Sequence, residues 1–551
     1  MAIPIIDIFA GPGGLAEGFS SLIDEHGERE FEVALSIEKD PVAHQTLKLR
    51  SFYRQFPINQ APTDYYRFVR GEIELQELYD NYPIEAQAAS QEAWCATLGD
   101  PDSDDNNGVS NDEVDQRITI ALEGEQNWVL TGGPPCQAYS LVGRSRRQEL
   151  VLNGETDKRV ELYKEYLRII AVHSPAVFVM ENVKGLLSAR VESAYIFNNI
   201  LRDLKDPVAA CLSEGAIPDI NQPHINYRIY SLTAQPLGFD NENPIFNPRD
   251  YIIKAEDYGV PQKRHRVILL GIREDINPPQ EILIRNAPVS LESIIGNLPS
   301  IRSGITRSFT HSELVFDENG KPKKKRFYQR INDNYLSWQN YIRAFNGDIN
   351  GYLPPLHQQD LPSSLGDNFT PSNQFDVADE NPLANWYRDE RLGGILHHVS
   401  RKHLLQDIKR YLFASRYAIE NGTFPRLADY RQAELDLMPD HENSESGKFT
   451  DRFRVQLPDI PATTITSHIS KDGHYFIHYD PKQSRSFTVR EAARVQTFPD
   501  NYYFCGERTN QFHQVGNAVP PYLAYQIAEV VLGIFDIQNA IPENINEEIN
   551  G

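Results

Sequence analysis

An α/β protein with a mostly parallel sheet covered on both faces is the fold this sequence predicts, with a second unit of different character set inside it. Three observations carry that prediction. Short β-branched runs alternate with segments of helical apolar spacing through the first half of the chain. Two of the runs end in turns rich in glycine and proline, Gly11-Pro12-Gly13-Gly14 and Gly132-Gly133-Pro134-Pro135, as buried strands of a parallel sheet do. The alternation fades over residues 286–481, where aromatic, Arg, Pro and polar residues rise, and it returns after 482.

The elements follow in order. Ile3-Pro4-Ile5-Ile6-Asp7-Ile8-Phe9 is the first strand, residues 15–23 the first helix, and residues 31–37 the second strand, closed by Glu38. Residues 39–127 far exceed the dozen or so that a crossover needs. That stretch is helix-rich, then polar and acidic at 100–115, which reads as a surface loop. Trp128-Val129-Leu130-Thr131 is the next strand, 161–172 a helix, Ala176-Val177-Phe178-Val179-Met180 a buried strand and 267–271 another. In the middle unit the clearest helix is 401–420; residues 488–498 and 519–535 are helices of the α/β kind again. The expected division is a first unit at 1–285 with an insertion at about 55–125, a second at 286–481, a return to the first at 482–535, and a polar tail at 536–551.

Composition bounds the function. The chain has 551 residues, 24% charged and 40% apolar, which fits large globular cores and excludes fibres and wholesale disorder. With a mean hydropathy of -0.49 and no apolar run near the ~18 residues of a membrane helix, no span is expected. The N-terminus lacks the basic segment and cleavage site of a secretory signal. Cys95, Cys136, Cys211 and Cys505 are too few and too scattered for a disulfide framework or a paired-cysteine metal site, so a reducing cytoplasm is expected. With 54 basic and 77 acidic residues the net charge is -23, which excludes coating of nucleic acid by bulk charge but leaves room for a local basic cleft. Acids gather at 25–32, 100–115 and the tail, cations at 144–147, 263–266 and 321–330, so a bipolar surface with one positive groove is expected.

Two turns carry chemistry. A strand, then Phe9-Ala10-Gly11-Pro12-Gly13-Gly14-Leu15, then a helix is a nucleotide-cofactor turn, in which small residues let the backbone approach the ligand. Glu38, at the end of the next strand, is placed to accept both ribose hydroxyls. No Gly-Lys-Ser/Thr follows, so this is not a phosphate-cradling loop. A tight turn without a ligand is the plain alternative, and the turn does not separate NAD from S-adenosylmethionine. In the second turn, two prolines fix the backbone before Cys136 at the sheet's carboxyl edge. That setting makes Cys136 a candidate nucleophile rather than a small buried hydrophobe. Cys95, Cys211 and Cys505 lack such a setting and are read as structural. Glu181 closes the neighbouring strand, where an acid could cap a helix or hold a bound base.

Taken in order, these segments resemble the DNA (cytosine-5)-methyltransferases. The resemblance rests on Asp7-Ile-Phe-Ala-Gly-Pro-Gly-Gly-Leu15, Pro135-Cys136-Gln137, Glu181-Asn182-Val183, Gln262-Lys-Arg-His-Arg266, Arg490-Glu-Ala-Ala-Arg494-Val-Gln496-Thr-Phe-Pro499 and Gln514-Val-Gly-Asn-Ala-Val-Pro520. It implies a Rossmann-like S-adenosylmethionine-dependent domain, with a smaller mixed target recognition domain at 286–481 across a DNA-binding cleft. Thr463-Thr464-Ile465-Thr466 resembles the end of that domain. Cys136 would add to C6 of a flipped cytosine so that C5 can take the methyl group. Glu181 would hold N3 and N4, Arg266 would hold O2, and Arg264 would brace the site.

Carried over likewise, Phe9, Ala10, Gly11, Pro12, Gly13, Gly14, Leu15, Glu38, Pro135, Asn517, Ala518 and Val519 would surround the cofactor. Gln137, Ser140, Arg144, Arg146, Arg147 and Gln262 would meet DNA. The family's acid that reads the adenine amino group has only Asp100 as a candidate, and Tyr139 stands where the family more often has Phe. His397, His398 and His403 are read as helix-surface or core residues, with no metal implied. The implied partners are double-stranded DNA and a cognate restriction endonuclease or defence-system protein, with the enzyme a cytoplasmic, nucleoid-associated monomer. The competing readings are a tRNA cytosine-5 methyltransferase of the same lineage and a catalytically idle DNA-binding module.

Overall fold

The computed structural model describes residues 2–99, 107–134, 158–191, 194–213, 224–318, 320–356, 360–438 and 453–540. Its centre is an eight-stranded sheet. Five strands run parallel: β1 (Ile3–Ile8), β2 (Phe31–Glu38), β3 (Ala93–Cys95), β4 (Val129–Gly132) and β5 (Val177–Val183). Three antiparallel additions follow, β6 (Tyr227–Tyr230), β7 (Ile252–Lys254) and β8 (His265–Arg273), giving the order β7-β8-β5-β4-β1-β2-β3 with β6 also paired to β8. The chain leaves β1 toward β2 on one side and returns at β4 on the other. The carboxyl ends of β1 and β4 therefore border the topological switch point, where open α/β sheets bind ligands.

Both sheet faces are apolar, which is why the strands read as continuous hydrophobic runs. Leu130, Phe178, Met180 and Leu269 face one core, joined by Tyr166 and Ile170 of the helix Lys158–His173. Val129, Val177, Val179 and Ile268 face the other, with Leu523, Ile527 and Val531 of the helix Pro521–Ala540. Each such side chain contributes about 1.5–3 kcal/mol by leaving water. The stretch Arg508–Asp536 is long and apolar enough to cross a membrane, against the expectation from the sequence, but 61% of its apolar window is buried. Its packing against the sheet is that of a core helix.

The insertion folds as short helices against the helix Pro41–Arg54, which starts where the Asp40 carboxylate accepts the Val42 and Ala43 N–H groups at 2.8 and 2.9 Å. Buried Arg50 ties this helix to Glu17 at 2.8 Å. The acidic stretch read as a loop is in part the helix Asn111–Leu122. Val114, Ile118 and Leu122 make its buried stripe, hidden in the sequence among Asp112, Glu113 and Asp115. β3 was missed because three residues carry no period.

Between β8 and the C-terminal helices, the helices Tyr335–Ile349 and Leu405–Asn421 bury Trp338, Ile342, Tyr411 and Phe413 together. The second of these starts later than the sequence predicts because Lys402–His403 pairs as a strand with Gly304–Ile305. A long antiparallel hairpin, β9 (Arg307–Phe316) and β10 (Pro322–Arg330), projects from the same region.

Candidate active site

The turn after β1 bends sharply: Phe9, Gly11 and Gly13 have φ of 57°, 58° and 89°. A left-handed phenylalanine is uncommon and marks a backbone shaped for a ligand. Glu38, at the end of β2, accepts the Gly11 N–H at 2.8 Å with one oxygen and the Asp40 N–H at 2.7 Å with the other. An ionised carboxylate offers about four acceptor positions, so the same group can brace the turn and still receive two hydroxyls. Burial pushes the Glu38 carboxyl above its ordinary range, against the pull of those two donors. The segment Asn517-Ala518-Val519 closes on the turn from the other side. A side chain at Gly14 would stand 2.2 Å from the Val519 carbonyl oxygen, so only glycine permits this approach.

Together these segments line a cavity of about 810 Å³. Phe9, Ala10, Gly11, Pro12, Gly14, Leu15, Glu38, Asn517, Ala518 and Val519 all border it; Gly13 shapes the turn from behind. Ala96, Thr97 and Leu98, following β3, form a further wall. The donor set suits a neutral sugar beside an aromatic surface.

The opposite wall belongs to β4, β5 and β8. In the antiparallel register Arg266 faces Val183 and Ile268 faces Glu181, so Glu181 and Arg266 are diagonal neighbours on one face. The Glu181 carboxylate pairs with Arg266 Nε at 2.8 Å, and both line the cavity. A Cβ at Gly133 would lie 3.0 Å from Glu181 Oε2, so the acid abuts the loop that leaves β4. Asn182 Nδ2 donates to the Pro134 carbonyl at 3.3 Å, tying that loop to β5.

Arg264 also reaches the cavity. Its Nη1 donates to the Ile465 carbonyl at 2.9 Å and the Gly516 carbonyl at 3.4 Å, while Nε has no partner among the described residues. Burial, reinforced by the nearby Arg266 charge, lowers this guanidinium well below its ordinary value. Gly516 must be glycine here, since a Cβ would come within 2.4 Å of the Thr466 and Ser467 backbone.

This places a cofactor turn and a carboxylate–guanidinium pair on one cavity. The family model of the C-5 cytosine-specific DNA methylases matches residues 104–207 and 246–533.

The chain belongs to that family.

It is a DNA (cytosine-5-)-methyltransferase, and its methyl donor is S-adenosylmethionine. Among similar proteins, the type II methyltransferase M.Bpa9945I of Bacillus paralicheniformis is 30% identical over 97% of this chain and 99% of its own length. M.DdeI of Desulfomicrobium norvegicum is 27% identical over 75% of each chain. The DNA (cytosine-5-)-methyltransferase M.ApeKI of Aeropyrum pernix is 26% identical over 75% of this chain and 83% of its own.

Within this methyltransferase, several residues singled out from the sequence lie outside the described residues: Asp100, Pro135, Cys136, Gln137, Tyr139, Ser140, Arg144, Arg146 and Arg147. One expectation is corrected. Gln262, assigned to DNA, is wholly buried; its amide donates to the Val495 carbonyl at 3.2 Å and to Gln496, and its oxygen accepts the Ile465 N–H at 2.6 Å. With both ends engaged inside the protein, it has no group left for a base. His398 is also interior, between the Pro299 carbonyl at 2.8 Å and the Thr488 hydroxyl at 3.1 Å, and lies on a strand rather than a helix.

Residues that sequence reasoning missed are Thr509, Asn510 and His513, which border the cavity from the helix Arg508–Asn517. Thr509 and His513 share one helical face, and His513 directly precedes the Gln514-Val-Gly-Asn segment. Extending that segment by one turn would have found them.

Proposed function

We propose that this enzyme methylates C5 of cytosine within a specific duplex sequence, by swinging the base out of the helix and forming a transient Cys136–C6 bond. The bound cofactor supplies an electrophilic sulfonium methyl group. The chain's own residues do the rest. The Cys136 thiolate adds to C6, breaking the ring's aromatic conjugation and placing electron density on C5. Glu181 holds N3 and the exocyclic amine, so that negative charge from the addition is met by a proton at N3. Arg266 orients Glu181 and lies where it can receive O2. Once C5 holds the methyl group and the donor has been released as a neutral thioether, the C5 proton leaves to a base, the C6–S bond breaks with its electron pair returning to sulfur, and the N3 proton goes back to Glu181. Extrusion of the base costs a few kcal/mol, to be offset by contacts in the cavity and with the duplex.

The observation that carries this reading is the Glu181–Arg266 pair, 2.8 Å apart and set beside the Gly133-Pro134 turn on the cofactor cavity. The type II methyltransferases among its relatives favour a modification enzyme of a restriction–modification or phage-defence system; our reading adds a cytoplasmic monomer working beside an endonuclease.

Incubation with labelled S-adenosylmethionine and either duplex DNA or tRNA tests the substrate. Label in DNA alone is expected; label in tRNA alone would overturn the assignment. Cys136→Ser should abolish turnover while cofactor and duplex still bind. A duplex bearing 5-fluorocytosine should leave a stable adduct on the wild-type protein, and its absence with both substrates bound would refute the covalent route.

A further inference from the structure

Asp7, beneath the cofactor turn, takes no part in the proposed methyl transfer. The register sets it on β1 between Ser36 of β2 and Thr131 of β4, a polar row across three strands of a sheet that is otherwise apolar on both faces. All three residues are wholly buried. Asp7 Oδ1 accepts the Thr131 hydroxyl at 2.9 Å, while Asp7 Oδ2 and Ser36 Oγ have no hydrogen-bond partner among the described residues. A buried carboxyl served by one neutral donor is poorly solvated in its charged form.

The groups around Asp7 hold it near balance. Burial pushes its carboxyl up to about 7, against the pull of the Thr131 hydroxyl, the Arg54 charge and the Ala16 N–H, with Glu38 adding to the rise. Arg54, on the helix Pro41–Arg54, is committed to Glu92 and also lies 4.0 Å from Glu17 of the helix Gly14–Ser20. Tyr166, on the helix Lys158–His173, feels the Asp7 charge, but burial holds its hydroxyl proton in place. Asp7 thus leans on no committed counter-ion, and a further charge nearby decides its state.

Such a charge comes and goes with the cofactor. Phe9, two residues beyond Asp7, borders the catalytic cavity with Ala10 and Gly11. Two strand residues span about 7 Å, so a charge in the cavity acts on Asp7 through protein rather than through bulk water. S-adenosylmethionine carries a sulfonium cation. The S-adenosylhomocysteine left after methyl transfer is a neutral thioether with the same amino and carboxylate groups. The two ligands therefore differ in the cavity by one positive charge.

We propose that Asp7 is a proton-linked sensor of that charge: its carboxyl gives a proton to solvent when the sulfonium form binds, and takes one back from solvent when the thioether stands in its place. By linkage, raising the pH favours the methyl donor over the spent cofactor, and acid favours the reverse. Two unit charges on the order of 10 Å apart, at an effective dielectric of ~20–40, shift such an equilibrium about fivefold to fifteenfold. The device rests on the cofactor alone and needs neither duplex nor Cys136.

The test titrates the full chain with S-adenosylmethionine and, separately, with S-adenosylhomocysteine by calorimetry, from about pH 5.5 to about pH 8.5, in buffers of different ionisation enthalpy. Because the ligands share their other ionisable groups, the ratio of their Kd values isolates the sulfonium. That ratio, donor over product, should fall about fivefold or more as pH rises from about 6 to about 8. Near neutrality the donor should also release more protons on binding than the product does. Asp7→Asn should hold the ratio constant. Thr131→Val removes the hydroxyl that favours the ionised form and should move the midpoint to higher pH; it decides the matter if circular dichroism shows that Asp7→Asn does not fold. A ratio independent of pH in the wild type, one that changes equally in Asp7→Asn, or an unmoved midpoint in Thr131→Val would each overturn the inference. So would a slope that survives Asp7→Asn and vanishes in Glu38→Gln, which would put the proton on Glu38.

Discussion

Glu181 is held on two sides: Arg266 Nε lies 2.8 Å from one oxygen, and the start of the β4 loop lies against the other. Its position is therefore set before any base arrives, as the proposed proton transfer at N3 requires. Glu181→Gln keeps the shape and removes the charge. We expect kcat to fall by about 10²–10⁴ while cofactor affinity stays within about twofold; a rate loss accounted for by KM would remove Glu181 from the chemistry.

Asp7 presents a different case. It is fully buried beneath the cofactor turn, accepting a hydrogen bond from Thr131 Oγ1 at 2.9 Å, and burial pushes its carboxyl up to about 7. Because the folded value lies above the unfolded one, this group's favourable contribution is complete in acid and is lost as pH rises toward and through 7. The loss reaches at most about 4 kcal/mol. Asp7→Asn should flatten the stability profile between about pH 4 and 8, as read from urea midpoints; an unchanged slope would show that another group governs it.

Among the elements, the helix Val489–Val495 illustrates how a recognisable segment can serve architecture rather than chemistry. Arg490 and Arg494 are each almost wholly buried. Arg494 grips Asp500 with two hydrogen bonds, at 2.9 and 2.6 Å, and donates to the carbonyls of Ile294 at 2.8 Å and Phe375 at 2.7 Å. Arg490 collects the carbonyls of Leu396, Pro499 and Tyr502 at 3.0, 3.0 and 2.8 Å. One short helix thus joins the segments before and after it into a single core. Removing Arg494 leaves buried Asp500 with only the more distant Arg490, at 3.7 Å, so Arg494→Ala should cost about 3 kcal/mol in chemical denaturation. A cost below about 1 kcal/mol would mean that Arg490 or water satisfies Asp500 instead. The helix itself was expected from the sequence over 488–498, and the structure adds a reciprocal Thr488–Glu491 cap at its start. Its role was not, because a guanidinium's acceptors are backbone atoms that carry no residue identity.

For the whole molecule, a net charge of -23 must coexist with a polyanionic substrate. Cations among the described residues are gathered: Arg264 and Arg266 at the cofactor cavity, Arg307, Arg330 and Lys471 at a second cavity, and six along residues 321–330. Duplex affinity should accordingly weaken steeply with salt, each neutralised phosphate adding about -0.9 to the logarithmic slope. Binding titrations that show no salt dependence would refute a groove built on phosphate contacts.

The sequence by itself determined the strand–turn–helix order of the sheet's main strands and the cofactor turn with Glu38. Those features are local: a strand buried on both faces is a continuous apolar run, and a ligand-binding turn needs small residues at fixed offsets. Tertiary structure alone decided that Gln262 is an internal strut, that Glu181 meets Arg266, and that Thr509, Asn510 and His513 face the cavity. Gln262 bonds a residue 233 positions away, and Arg494 one 200 positions away. Contacts across such separations leave no periodic trace in the chain, since they are fixed by how the packed elements meet and not by what any one segment prefers to form.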